Sequence, residues 1–110
     1  MKDQSQLMRG ILEGCILKII STGETYGYAI VEQLRVYGFE EMTEGTVYPL
    51  LLRIEKNEWV SHQKRPSLQG PMRKYYTLTS LGEKELMAFS VSWRHLEKTV
   101  KNIFELEAQS

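Results

Sequence analysis

Within GTVYPLLLRIEK, residues 45–56, Thr46, Tyr48, Pro49, Arg53 and Lys56 bring hydroxyls, a guanidinium and an ammonium close together, with no carboxylate between Thr46 and Arg53. That set suits hydrogen bonding to nucleic acid. A guanidinium can donate two bonds to the O6 and N7 acceptors of a guanine, and Arg53 is the only side chain of the stretch suited to that contact. Thr46 and Tyr48 fit phosphate oxygens better, Lys56 lies a turn further along, and Pro49 and Leu52 can touch thymine methyls. A second set follows downstream. From Trp59 to Thr77 the chain holds Lys64, Arg65, Arg73 and Lys74 and no acidic residue, which favours phosphate contact over a merely solvated surface.

Other chemistries find no support. His62 and His95 have no ligand-like neighbours at metal spacing, and neither a Cys/His/Asp cluster nor a phosphate-binding glycine loop occurs. No metal or cofactor is therefore expected. Glu40 with Glu41, and Glu83 with Glu85, are paired carboxylates that read as exposed, so no catalytic residue is expected either. The single cysteine, Cys15, falls inside an apolar stripe, permits no internal disulfide and suits a reducing cytoplasm. The apolar run from Ile11 to Ile20 is interrupted by Glu13 and Lys18 and preceded by Asp3, which argues against a membrane span or a leader.

The elements that must carry these residues can be read from periodicity. Thr43 to Val60 reads as one helix of three to four turns, with Val47, Leu50, Leu51 and Ile54 on a buried face. Gly45, Pro49, Leu52, Arg53 and Lys56 take the opposite face, with Thr46 and Tyr48 on the flanks. Pro49 cannot donate to the carbonyl four residues back. The helix is therefore either capped near Thr46, or begins at Gly45 and bends slightly where glycine relieves the clash. One buried stripe and a polar outer face suit insertion into a DNA groove, although an ordinary amphipathic surface helix has the same periodicity.

Upstream, Met8, Ile11, Leu12, Cys15, Ile16, Ile19 and Ile20 mark a helix from about Gln4 to Ser21, with Gly23 as its stop. Thr25 can cap a second helix ending near Tyr37, with Gly38 beyond it. These two helices, a short connection and the central helix make a helix-turn-helix arrangement. Downstream, Trp59–Gln63 and Arg73–Leu78 alternate as two antiparallel strands, joined by the loop Lys64–Met72, and form a wing. Ser80 to Glu83 is a capping box that opens a last helix. Along it Leu86, Phe89, Trp93, Leu96, Val100 and Ile103 recur at steps of 3, 4, 3, 4 and 3, a heptad seam. The three-helix core is complete without this seam. A second copy of the chain is the simplest partner, folding back onto the first helix is the alternative, and both faces are expected to be used.

At 110 residues the chain is one domain with a small core. Its 14 basic and 14 acidic side chains balance, but residues 43–78 carry 6 basic and 3 acidic residues, so the positive excess is local.

Gly45, Thr46, Val47, Tyr48, Pro49 and Leu51, then Arg53, Ile54 and Glu55, then Arg73, Lys74, Tyr75, Tyr76, Leu78, Thr79 and Gly82 resemble the PadR family of bacterial transcriptional regulators. Tyr26, Gly27, Tyr28 and Ile30 match that family's second-helix signature. Glu58 stands where the family usually has glycine, which puts the geometry of that turn in question. The resemblance implies a DNA-binding regulator that dimerises through its C-terminal helix, and members that bind aromatic compounds. Trp93, in the middle of the seam, would then either fill a dimer interface or stack on a planar aromatic effector.

The expectation is a mainly α, winged helix-turn-helix fold with a two-stranded wing and a long C-terminal dimerisation helix. Residues 1–78 form the DNA-binding part and 79–110 the dimerisation helix. The protein is a cytoplasmic homodimeric regulator, a repressor, that reads a pseudo-palindromic stretch of double-stranded DNA. The alternative is a small-molecule-binding or protein-interaction module that keeps the fold without binding DNA.

Overall fold

Leu12, Ile16, Leu17 and Ile20 meet Ile30, Val31 and Leu34, and both groups meet Val47, Leu51 and Ile54, so three amphipathic helices close one core. Each such side chain contributes about 1.5–3 kcal/mol by leaving water. A computed structural model of the chain describes residues 5–68 and 70–107. The elements run α1 (Ser5–Met8), α2 (Leu12–Ser21), β1 (Thr25–Tyr26), α3 (Gly27–Val36), α4 (Glu44–Lys56), β2 (Val60–Pro66), β3 (Met72–Leu78) and α5 (Ser80–Phe104). Val60 and Tyr76 close the core from the sheet, and Met42 closes it from the α3–α4 turn. The fold is a winged helix, mainly helical with a small antiparallel sheet and a long last helix.

Several expected boundaries are corrected. The first helix is not continuous. The part expected at Gln4 lies outside the described residues, and the chain leaves the helix at Arg9–Ile11 before α2 begins. Gly10 sits in that break, where its high conformational entropy makes an interior helical position costly. Thr25 does not cap α3. It lies in β1, opposite Tyr76, and Tyr26 precedes the helix without a side-chain cap. The sheet therefore has three strands in the order β1-β3-β2, not two. The wing strands are also longer than expected, pairing from Val60↔Leu78 to Pro66↔Met72, with Lys64 and Arg65 inside β2 instead of the loop.

The α3–α4 turn is held by Arg35, whose Nε donates to the Met42 carbonyl at 2.8 Å. Thr43 then flanks the start of α4, where the expected span opens and two residues before a start at Gly45, so a cap near Thr46 is not what is found. Thr46 is a helical residue, and Pro49 falls in the second turn. Proline leaves the Gly45 carbonyl without its helical donor, and both residues are exposed, so water can serve it.

The central helix ends at Lys56, not Val60. The Glu58 amide donates to Glu55 O at 2.9 Å and the Trp59 amide to Ile54 O at 3.2 Å. These are the paired bonds of a helix end that needs a left-handed residue, and Glu58 supplies it at φ 61°. The same closure after α3 uses Gly38 at φ 135°. The capping box is also displaced by one residue. Thr79, not Ser80, caps α5, its hydroxyl accepting from the Gly82 amide at 2.9 Å.

A left-handed backbone costs a non-glycine residue roughly 1–2 kcal/mol, part of which glycine gives back as unfolded-state entropy. Glu58→Gly is therefore expected to raise stability by about 0.5–1 kcal/mol, and Glu58→Val to lower it. Denaturant unfolding at matched protein concentration measures both, and an unchanged or lowered midpoint for Glu58→Gly would contradict the strain assigned to this turn.

Candidate nucleic-acid interface

Burial of Val47, Leu51 and Ile54 fixes how α4 is turned, and leaves Thr46, Tyr48, Pro49, Leu52, Arg53 and Lys56 exposed. These residues do not form one patch. At about 100° per residue, Tyr48, Leu52 and Glu55 share the flank toward the wing, whereas Thr46 and Arg53 share the flank toward α2. Tyr48 and Leu52 line a groove of about 890 Å³ whose other wall is Met72, Arg73 and Lys74, with Tyr26 and Tyr28 at its end. Arg53 stands outside that groove. Its Nε lies 3.2 Å from Glu13 Oε2 on α2. Gly27 is required at the mouth of the groove, because a Cβ there would run into the Tyr48 ring.

The four wing cations are likewise divided. Lys64 pairs with Lys74 across the hairpin and Arg65 with Arg73, so strand alternation puts the lysines on one face and the arginines on the other. The Lys74 Nζ lies 3.4 Å from both Glu55 carboxylate oxygens, and His62 Nδ1 lies 3.3 Å from Glu55 Oε2, so one α4 carboxylate ties both strands to the helix. On the outer face Arg65 stacks on the Tyr75 ring at 4.1 Å and is bonded to Glu24. Arg73, half-buried, stacks on Tyr26 at 3.9 Å, which holds its guanidinium flat against the ring. Among the described residues, Lys56, Lys64 and Arg73 have no carboxylate partner, while Arg53, Arg65 and Lys74 do.

The sequence shows no sign that Glu13, Glu24, Glu55 and Tyr26 touch the candidate residues. Each does so across elements far apart in the chain, and no local spacing signals such a pair.

The heptad seam of α5 is divided too. Leu86 packs against the core, and the Phe89 ring sits over Gly14 of α2, where a Cβ would collide with it. From Val91 to Leu106 every residue is exposed, and among the described residues Trp93, at 37%, is the best covered of the seam positions there, with Leu96, Val100 and Ile103 more open. Trp93 lines neither the groove beside α4 nor the one between α2 and α5 that Lys18, Ser21, Leu86 and Met87 border. Cys15 is half-buried, and burial pushes its thiol up, away from the reactive thiolate. Among the described residues no group of three or more His, Cys, Asp or Glu is placed to hold a metal, and no helix is long and apolar enough to cross a membrane.

Comparison with known proteins gives one consistent result. The model of the transcriptional regulator PadR-like family matches residues 16–88. A PadR-like transcriptional regulator from Bacillus cereus strain ATCC 14579 has a similar structure, with a TM-score of 0.84 and 44% identity over 94% of this chain and 100% of that one. A Streptococcus transcriptional regulator gives 0.80 and 44% over 90% and 97% of the two chains. The negative transcriptional regulator PadR of Bacillus subtilis (strain 168) is 28% identical over 102 residues, which is 89% of this chain and 55% of that protein.

Tyr76 lies beneath this interface. Burial first, then the charge of Glu55 and the neighbouring Tyr48, push its phenol up to about 12. Tyr48 is raised as well, by burial and Glu44, against the pull of Arg73. The folded state thus keeps the Tyr76 proton while the unfolded chain loses it near pH 10. The stability this represents is fully present below about pH 10 and is lost as pH rises towards 12. Tyr76→Phe should unfold with a shallower decline across that window than the wild type, and equal declines would remove Tyr76 as the cause.

Proposed function

The chain belongs to the PadR-like family of transcriptional regulators, and we propose that it acts as a homodimeric repressor that binds a pseudo-palindromic stretch of double-stranded DNA. In this reading residues 1–78 are the DNA-binding part and 79–110 the dimerisation helix. The observation that carries it is the bare outer side of α4 standing beside a wing whose Arg73 and Lys64 have no carboxylate partner among the described residues. Arg53 reads a base edge, Tyr48 and Thr46 hold phosphates, and Pro49 lies where the duplex meets the helix. Lys56, Lys64 and Arg73 supply long-range attraction. So short a set of base contacts leaves much of the recognition to phosphate register and DNA shape. The repressor role is supported by the name of the Bacillus subtilis relative, a negative regulator.

Homodimerisation rests on the exposed apolar stripe of α5, because a two-fold assembly reads two half-sites with two copies of α4. Lys74 and Arg65 belong to the same wing but are engaged by carboxylates outside it, Glu55 of α4 and Glu24 before β1, and would add less to the attraction.

Two experiments test this. A duplex enriched from a random pool by the wild-type chain serves as the specific probe, and failure to enrich any sequence would refute sequence-specific binding. On either specific or random DNA, Arg73→Ala should flatten the dependence of log affinity on log salt by about 0.9 for each phosphate that the side chain no longer neutralises, whereas Lys74→Ala should change it less. Equal slopes for wild type and Arg73→Ala would take the wing arginine out of the interface.

Leu96→Glu with Val100→Glu places charge on side chains that are 51% and 45% exposed. The fold of each chain should survive. Sedimentation should then show a monomer with sharply reduced affinity for the enriched duplex, and a dimer of unchanged affinity would move the interface elsewhere.

A further inference from the structure

Glu13 lies in the first turn of α2 and reaches the flank of α4 that carries Arg53. Its Oε2 is sealed from solvent, and among the described residues no donor meets it in hydrogen-bond geometry, although the Arg53 Nε is only 3.2 Å away. Both facts describe one contact, in which charge attraction operates without an aligned N–H. The two partners are unequal, with the Glu13 side chain 24% exposed and that of Arg53 68%. The carboxylate is therefore the fixed member and the guanidinium the free one. A sealed carboxylate oxygen without a donor is destabilising, and the positive charge of Arg53 is what answers it.

We infer that Glu13 is a positioning residue for Arg53, and through it a determinant of DNA specificity. A guanidinium is a planar fork. The carboxylate from α2 lies against the Nε side of this fork, draws it toward α2 by charge, and leaves the two Nη groups as its unengaged donors. That is the arrangement a bidentate contact with guanine O6 and N7 requires. Glu13 has a second effect. Its charge offsets that of Arg53, so the arginine attracts phosphates weakly wherever no guanine is in place. The pair thus lowers affinity for random DNA while presenting the fork for the right base. Specificity is a difference between two affinities, and this pair acts on both. The inference rests on the reading of Arg53 as a base contact proposed above.

Glu13→Gln keeps the size of the side chain and removes its charge. On the enriched duplex it should weaken binding a few-fold, and on a random duplex it should strengthen binding a few-fold. The ratio of the two affinities then falls about tenfold, within the range a bidentate base contact commands. The salt dependence on random DNA should steepen, because Arg53 is released to meet a phosphate. In an Arg53→Ala background Glu13→Gln should leave the ratio unchanged, and thermal unfolding of Glu13→Gln shows that the fold is kept. If the ratio falls as far in the Arg53→Ala background, Glu13 acts on something else and the inference fails. It also fails if Glu13→Gln leaves the ratio unchanged, or weakens both duplexes equally along with stability. Arg53→Ala on its own separates the two levels. A fall in its ratio with none for Glu13→Gln sinks only the positioning role, whereas no fall for Arg53→Ala sinks the base contact and the positioning role together.

Discussion

The end of α4 and the beginning of α5 are tied to the same two residues, and the relative placement of helix, wing and last helix follows from that knot. The Thr79 hydroxyl donates to the Glu58 carbonyl at 2.7 Å, and the Thr79 amide donates to the Trp59 carbonyl at 3.0 Å. One turn on, Gly82 passes so close to the Trp59 carbonyl that any Cβ would collide with it. Thr79 also closes the first turn of α5 by accepting from Gly82. The left-handed turn at Glu58, the first pair of the hairpin at Val60 and Leu78, and the α5 cap are therefore one joint. The joint is stiff because two of its three contacts, the Thr79 amide and Gly82 against the Trp59 carbonyl, are made between backbone atoms, and the third comes from the short Thr79 side chain.

Charge in this protein is economised locally. Residues 43–78 hold 6 cations, and carboxylates on α2, on the α2–β1 connection and on α4 itself engage Arg53, Arg65 and Lys74. Exposed pairs of this kind contribute little to stability, on the order of 0–1 kcal/mol each. Their larger effect is to reduce the field that this side of the protein presents at a distance. Composition alone therefore overstates the attraction of this segment for phosphates. The cations left without such partners among the described residues, Lys56, Lys64 and Arg73, are spread over α4 and both wing strands. That spacing suits contact along a backbone better than concentrated binding at one point.

The sequence announced its periodic elements and stayed silent on its joints. The helices α2 to α5 and the hairpin follow from repeated apolar positions, and tertiary packing reinforces what the pattern favours. By contrast β1 is only two residues long, too short for any period, and exists because Thr25 and Tyr26 find Tyr76 and Tyr75 beside them. The choice of Thr79 over Ser80 as cap was open locally, since both residue types serve. It was decided by the extended backbone at Thr79 and its bond to the Glu58 carbonyl. The candidate site was legible as a set of residues but not as a shape. Alternation along β3 already places Arg73 and Lys74 on opposite faces, yet only the fold brings Tyr26 under the one and Glu55 under the other.

The last helix shows why a seam counted along the sequence is longer than the seam a partner can use. Leu86 and Phe89 are committed to their own chain, Phe89 by a ring that occupies the space where Gly14 lacks a side chain. What remains from Trp93 to Ile103 is four seam positions over three turns, shorter than the three to four heptads that sustain a two-stranded coiled coil. If two copies associate through α5 as proposed, that short stripe cannot be the whole interface. Exposed apolar side chains outside the heptad positions, such as Met87, Val91 and Phe104 on the same helix, are the further apolar surface that α5 offers to such a contact.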